Sequence, residues 1–306
     1  MADVSEIKLA AYNYGICFLD LLGQREVFRG EGWLPIGLTA EGKDRFFEEK
    51  LKPTVGRVMN LQRRASEMIS SVMEPRSDSP LRMQLPAEHR KLWDEMHRTK
   101  MKTQHWSDGL ISYVALGDPD IKCRMNGIYG LFGMAGAAMI VGLAMRQPVR
   151  GAIDGAWAME IREGELYGPA IANAYELESV VAQWPRIVVG ERVIQLLTDH
   201  RDAKEEDIFT SMDRALAEMC LRMIGRDLDG VSILHYLGEE FTKAITQRVL
   251  PELYQQALSY VEDELARFRK ARDAKLALRY AHLRMYFKAN PPSSVAQSGT
   301  NGGKAA

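Results

Sequence analysis

Residues 14–23 read Tyr-Gly-Ile-Cys-Phe-Leu-Asp-Leu-Leu-Gly, and the fold turns on how that stretch is read. It is an apolar run of strand length, rich in Ile, Cys and Phe, closed by Gly23 and carrying one carboxylate, Asp20. An aspartate buried in a strand is costly unless it sits at the strand end and binds something. Working outward, the order becomes strand, helix, hairpin, helix, hairpin, helix, strand. That order predicts an α/β (α+β) chain built on a ferredoxin-like βαββαβ sheet with helices packed against it.

The elements follow from local signals. Residues 41–74 read as a long amphipathic helix in which Pro53 marks a kink or a start. Residues 75–86 carry three prolines and read as a loop, and 87–102 as a charged helical excursion. In residues 103–116, Ser107-Asp108-Gly109 is a turn signal between two strand-like runs, which puts Asp108 at a hairpin tip. Residues 149–155 and 157–161 read as a second hairpin. Gly168-Pro169 opens a helix running to about Gln183, residues 185–189 form a strand, and 191–197 a short helix. Residues 222–237 read as strand, turn, strand, and 250–288 as one long charged helix. The expected organisation is a domain over 12–237 with a helical insertion at about 75–102, a C-terminal helical extension over 238–288, and a disordered tail over 289–306.

Composition bounds the function. The chain has 306 residues, 40 Lys+Arg against 41 Asp+Glu and 46% hydrophobic residues, a globular composition and not that of a disordered chain or a disulfide-stapled miniprotein. A net charge of −1 argues against a broad nucleic-acid-binding surface. The three cysteines, Cys17, Cys123 and Cys220, lack zinc spacing and fit a reducing cytoplasm. The first residues are acidic and show no signal-peptide pattern. Residues 127–145 are uncharged and long enough to span a bilayer, but their many Gly and Ala residues favour a helix buried in a core, so no membrane is expected.

If the first strand and the hairpin lie side by side, Asp20 and Asp108 meet at one sheet edge. Two such carboxylates suit Mg²⁺ or Mn²⁺, hard cations that bridge substrate phosphates. The backbone of Leu21, Leu22, Gly23 and Gln24 could offer amides to phosphates. Plainer readings stand beside these: a strand-end cap for Asp20 and an ordinary Asp-Gly turn for Asp108. Arg150 either binds phosphate or pairs with a carboxylate. Arg186 reads as structural or interfacial. Glu176 and Glu178 read as a solvated helix face, Asp227 and Asp229 as a turn, His105 as a packed hairpin residue, and 267–275 as the exposed side of a helix.

Several of these residues together resemble a known family. Phe18-Leu19-Asp20-Leu21-Leu22-Gly23 resembles the opening F-x-D-[IL]-x-G motif of class III nucleotidyl cyclase domains. Ser107-Asp108-Gly109 is similar to their metal-binding hairpin. Arg150-Gly151-x-Ile153-x-Gly155 resembles their fourth strand, and Tyr167-Gly168 through Leu177-Glu178 the helix that follows. The departures point to a narrower group. Ala172 stands where the ribose-orienting Asn is usual, with Asn173 one place off, and Glu176 stands where the transition-state Arg is usual. The chain is most similar to the bacterial pyrimidine cyclases of Pycsar anti-phage defence.

That resemblance implies conversion of UTP to 3′,5′-cyclic UMP and pyrophosphate, with a cytidylate or purine cyclase, or a catalytically silent nucleotide-binding module, as the alternatives. It implies Asp20 and Asp108 as catalytic residues and two Mn²⁺ or Mg²⁺ ions held by Asp20, the backbone of Leu21 and Asp108. It places Phe18, Leu21, Leu22, Gly23 and Arg150 against the nucleotide. It further implies a cytoplasmic homodimer with composite sites and a separate effector that responds to the messenger. Gln104 and Glu165 fall near base-selecting positions.

Overall fold

The strand that carries Asp20 is the second-innermost element of the sheet's larger half. β1 (Ala11–Leu21) is flanked by antiparallel partners, β3 (Gly109–Ala115) on one side and β4 (Val149–Arg162) on the other. A computed structural model describes residues 10–24, 28–29, 32–33, 36–73, 82–83, 86–96, 99–204, 207–246 and 250–292. β2 (Met101–Trp106) pairs antiparallel with β3, giving the order β2-β3-β1-β4. With helices between β1 and β2 and between β3 and β4, this is the expected βαββαβ arrangement in a mixed α/β chain. β6 (Ile187–Val189) then runs parallel to β4, and β8 (Ser232–Leu234) and β7 (Ile224–Arg226) complete that side.

The alternation of β1 explains its continuous apolar reading. Cys17, Leu19 and Leu21 enter the main core, while Tyr14, Ile16 and Phe18 enter a second cluster on the opposite face. Both faces are covered, so neither parity can be polar. The main face packs on α4 (Met125–Ala144), the helix long and apolar enough to span a bilayer. Of its most apolar window, 78% is buried inside the fold, as in a core helix. Its N-terminus is held by buried Asp213, which accepts from Met125 N at 2.8 Å, Cys123 Sγ at 3.1 Å and Arg124 N at 3.3 Å. Close packing needs glycine at one strand position, where a Cβ on Gly151 would lie 2.4 Å from the Phe18 carbonyl oxygen; at Gly15 a Cβ would meet the tip of the Ile128 side chain at 2.4 Å.

The helix expected over 41–74 is present as α1 (Ala40–Phe46) and α2 (Lys52–Met73), joined by a π-helical turn over Phe47–Leu51 just before Pro53. Within the expected insertion, α3 (Ala87–Met96) is helical, while residues 101–102 already belong to β2. α5 (Pro169–Glu176) starts at the proline and covers the second face of β1. α6 (Glu191–Arg201) and α7 (Ile208–Arg222) pack beside α4 and β4.

Two expectations are corrected. The second hairpin does not turn at 155–157. β4 continues through Arg162, turns at Glu163-Gly164, and pairs there with β5 (Glu165–Tyr167). Gly155 is not a turn residue: it faces Gly15 in the register, and a Cβ there would lie 3.1 Å from the Tyr14 carbonyl oxygen. The long C-terminal helix is two helices, α8 (Leu250–Lys270) and α9 (Ala274–Ala289), packed on each other. Arg272 at φ 56° breaks the helix, and Asp273 caps α9 by accepting from Leu276 N at 3.0 Å. The disordered-tail expectation falls mostly on residues 293–306, outside the described residues.

Candidate functional site

Asp20 continues the parity of Tyr14, Ile16 and Phe18, so it emerges at the rim of the sheet on the α5 face. Its register partners are Gly109 on β3 and Arg150 on β4. Asp108 precedes Gly109 in the two-residue turn Ser107-Asp108, where Ser107 takes φ 55°. The hairpin therefore brings half-buried Asp108 to the strand end that carries Asp20. Sequence reasoning placed both carboxylates at this edge, and the register agrees.

Arg150 occupies the space beside Asp20. Its Nη2 and Nε lie 3.2 and 3.3 Å from Asp20 Oδ2, and its Nε lies 2.6 Å from Glu178 Oε1. Of the two readings left open for Arg150, pairing with carboxylates is what the structure contains. Glu178 corrects an expectation: its side chain is 2% exposed, not solvated. The cause is local. α5 continues through a π-helical turn over Leu177–Val181, and Glu178 follows buried Ala170 and Ala174 at four-residue steps, which places it on their inward face while Glu176 stays exposed. Burial pushes the Glu178 carboxyl up, Arg150 pulls it down, and the charge of Asp20 pushes it up again, to about 7. The four-residue step from Ala170 through Ala174 is the signal in the sequence that separates Glu178 from Glu176.

An aromatic stack borders these acids. Tyr175 lies edge-on to Phe18, with ring centroids 5.6 Å apart, and is stacked with Trp106 at 6.5 Å and 12°. Phe18 is itself buried beneath Tyr175, while Tyr175 and Trp106 are about half exposed. Leu21 is buried in the main core. The Leu22 amide donates to the Pro148 carbonyl at 3.0 Å, and Gly23 takes φ 89° with open space where a Cβ would sit. Gln104 accepts from Leu166 N at 3.0 Å, tying β2 to β5, and Glu165 is exposed. On α5, Ala172 and Glu176 are exposed and Asn173 is half-buried. His105 is exposed rather than packed.

Arg186 is structural, as expected. It is 4% exposed and pairs with Asp227 at 2.7 Å and Asp229 at 2.8 Å, its guanidinium resting 3.7 Å over the Trp184 ring. Asp227 and Asp229 form the expected turn between β7 and β8.

The donor chemistry at the Asp20 edge fits a hard divalent cation. Asp20 and Asp108 supply carboxylate oxygens, Glu178 is within contact of Asp20, and the guanidinium of Arg150 already sits on Asp20 as a cation would. Among the described residues no group of three or more His, Cys, Asp or Glu side chains is arranged as a metal cage. Two carboxylates suit ions that complete their coordination with substrate phosphate oxygens and water.

No protein-family model matches the chain, and no curated protein sequence matches it. A solved structure, the adenylyl cyclase CyaB from P. aeruginosa, is similar over 63% of this chain and 84% of that chain, with 13% identity and a TM-score of 0.40. At that overlap the likeness carries no argument. The βαββαβ assignment rests on the strand order and register.

Proposed function

We propose that the chain is a divalent-metal-dependent nucleotidyl cyclase, and that its substrate is a pyrimidine nucleoside triphosphate, UTP first. One observation carries the reading. Asp20 ends the inner strand opposite Gly109, with Asp108 in the adjoining turn, on a sheet of order β2-β3-β1-β4. In this reaction the ribose 3′-oxygen attacks the α-phosphorus, the bond from that phosphorus to the bridging oxygen breaks, and pyrophosphate leaves. Bound Mg²⁺ or Mn²⁺ would lower the pKa of the attacking hydroxyl and neutralise the leaving group. The chain's own residues supply the rest. Asp20, Asp108 and the Leu21 carbonyl would hold the ions, Leu22 and Gly23 would border the phosphates, and Arg150 would be free to leave Asp20 for the transferring phosphoryl group. Phe18 supports Tyr175 and Trp106, whose stacked rings suit a base.

The pyrimidine reading is supported by the motif likeness and by the absence of the usual Asn and Arg at Ala172 and Glu176. A homodimer with composite sites fits the exposed aromatics Trp106 and Tyr175 at this edge. On this reading the product is a messenger in anti-phage defence, made in the cytoplasm and sensed by a separate effector. The position of Arg150 on Asp20 also favours a second reading, a nucleotide-binding module without turnover.

The test is a product assay. Purified chain is incubated with ATP, GTP, CTP or UTP and with Mg²⁺ or Mn²⁺, and products are identified by mass spectrometry. Cyclic UMP supports the reading. Cyclic CMP or a cyclic purine keeps the chemistry and moves the base. No product from a folded protein, with triphosphate still bound, selects the silent module.

A further inference from the structure

Beside the strand end that bears Asp20 lies a cleft of about 550 Å³. Leu22 and Gly23 form part of its floor, and α2, α8 and α9 bring arginines to its walls: Arg57, Arg267 and Arg279, joined by Arg146 from the end of α4. Glu264 is the one acidic residue in the lining. Two of these arginines are already engaged, Arg146 with Asp263 and Arg267 with Glu264. The other two are not. Arg57 is half-buried and makes no ion pair among the described residues. Arg279 is half-buried, and its single side-chain bond is to the neutral amide of Gln183 at 3.2 Å. Burial and the neighbouring positive charge of Arg150 both disfavour the charged form of Arg279, and the charge of Asp273 offsets them only in part. Half-buried guanidinium groups with incomplete counter-charge are costly for a folded chain, and an anion between them lowers that cost. The walls also carry the rings of Trp184, Tyr260 and Tyr280.

We infer that this cleft binds a phosphate chain, either free pyrophosphate or the di- or triphosphate of a nucleotide, gripped by Arg57 and Arg279. Planar guanidinium groups suit phosphate oxygens, which they contact in pairs. The C-terminal helices thereby become part of a ligand site and not only a cover for the core. The cleft shares Leu22 and Gly23 with the proposed nucleotide site, but the arginines that carry the inference stand apart from Asp20 and Asp108, so it can hold or fail apart from the cyclase reading.

The test is isothermal titration calorimetry on the full chain without divalent metal, using pyrophosphate, tripolyphosphate and UTP as probes. Wild type binds at least one of them. The double variant Arg57→Gln/Arg279→Gln loses at least tenfold in affinity, Arg279→Lys keeps most of it, and Arg222→Gln, at an exposed arginine outside the cleft, binds as wild type does. Equal affinity for tripolyphosphate and UTP assigns the site to the phosphate chain alone, and tenfold tighter UTP assigns it to a nucleotide. Unchanged affinity in the double variant overturns the inference, as does no binding of any probe to wild type. If the double variant melts early, the single Arg57→Gln variant decides, with a loss of threefold or more expected. Absence of cyclic product alongside intact pyrophosphate binding would sink the cyclase reading and leave this one standing.

Discussion

Two arginines stand side by side at the start of two parallel strands, and their surroundings could hardly differ more. Arg150 lies one residue into β4 and Arg186 one residue before β6, and the Gly151 amide donates to the Arg186 carbonyl at 2.9 Å. Each faces two carboxylates. Arg186 meets Asp227 and Asp229 at 2.7 and 2.8 Å, donates to the Val181 carbonyl, and rests on Trp184, while His282 bonds Asp227 from the other side. Burial works against the Asp227 carboxylate, yet its bonds to His282 and Arg186 hold it below the usual range. Around Arg150 the bonds to Asp20 are longer, and Glu178 is driven up to about 7. A matched cluster is what structure requires. A mismatched one, at the rim beside a cleft, is where function is expected.

That contrast can be broken in several ways. The largest effect belongs to the mismatched side. Asp20→Asn or Asp108→Asn should lower cyclic nucleotide formation at least a thousandfold, about 4 kcal/mol, without lowering the melting temperature. Normal turnover in either folded variant would end the assignment. On the matched side, Arg186→Ala should leave the buried side chain of Asp227 with His282 as its one remaining charged partner and Asp229 without its ion pair. It should destabilise by about 3–5 kcal/mol, read by denaturant titration. A loss under 1 kcal/mol would mean the network is incidental.

The two clusters should also respond to pH in opposite senses. Asp227 has a depressed folded pKa, so its stabilisation is present above the ordinary carboxylate range and fades as pH falls through it. Asp227→Asn should therefore cost stability at pH 7 and much less at pH 3. Glu178 has a raised folded pKa, so its contribution is most favourable below about 4.5 and fades as pH rises through about 7. Glu178→Gln should be close to neutral at pH 5 and stabilising at pH 8, by roughly 2–3 kcal/mol. Paired melting curves check both; parallel shifts would contradict the contrast.

How much of this was legible depended on whether the signal was local. Asp20 could be placed because an apolar run with one acid has few places to put it, and Asp108 because Asp-Gly between strand-like runs makes a turn. Gly155 misled because a glycine selected for close approach to the Tyr14 carbonyl looks like one selected for a turn. Glu178 was missed because the face it shares at four-residue steps is marked only by Ala170 and Ala174, small residues that signal an inward face weakly beside an acid. The break between α8 and α9 did leave a trace, since Asp273 is a good N-cap, but the surrounding charges read as an unbroken solvated helix. Arg57 and Arg279 were beyond sequence reasoning, because helices far apart in the chain bring them to one cleft.

The core helix has a further consequence, for synthesis. α4 is complete at Ala144, yet α8, which packs along it, begins only at Leu250. At ordinary translation rates, roughly ten seconds pass between the two. Throughout that interval the flank of α4 that α8 will cover has no such cover from its own polypeptide, and it is an aggregation-prone surface until α8 emerges.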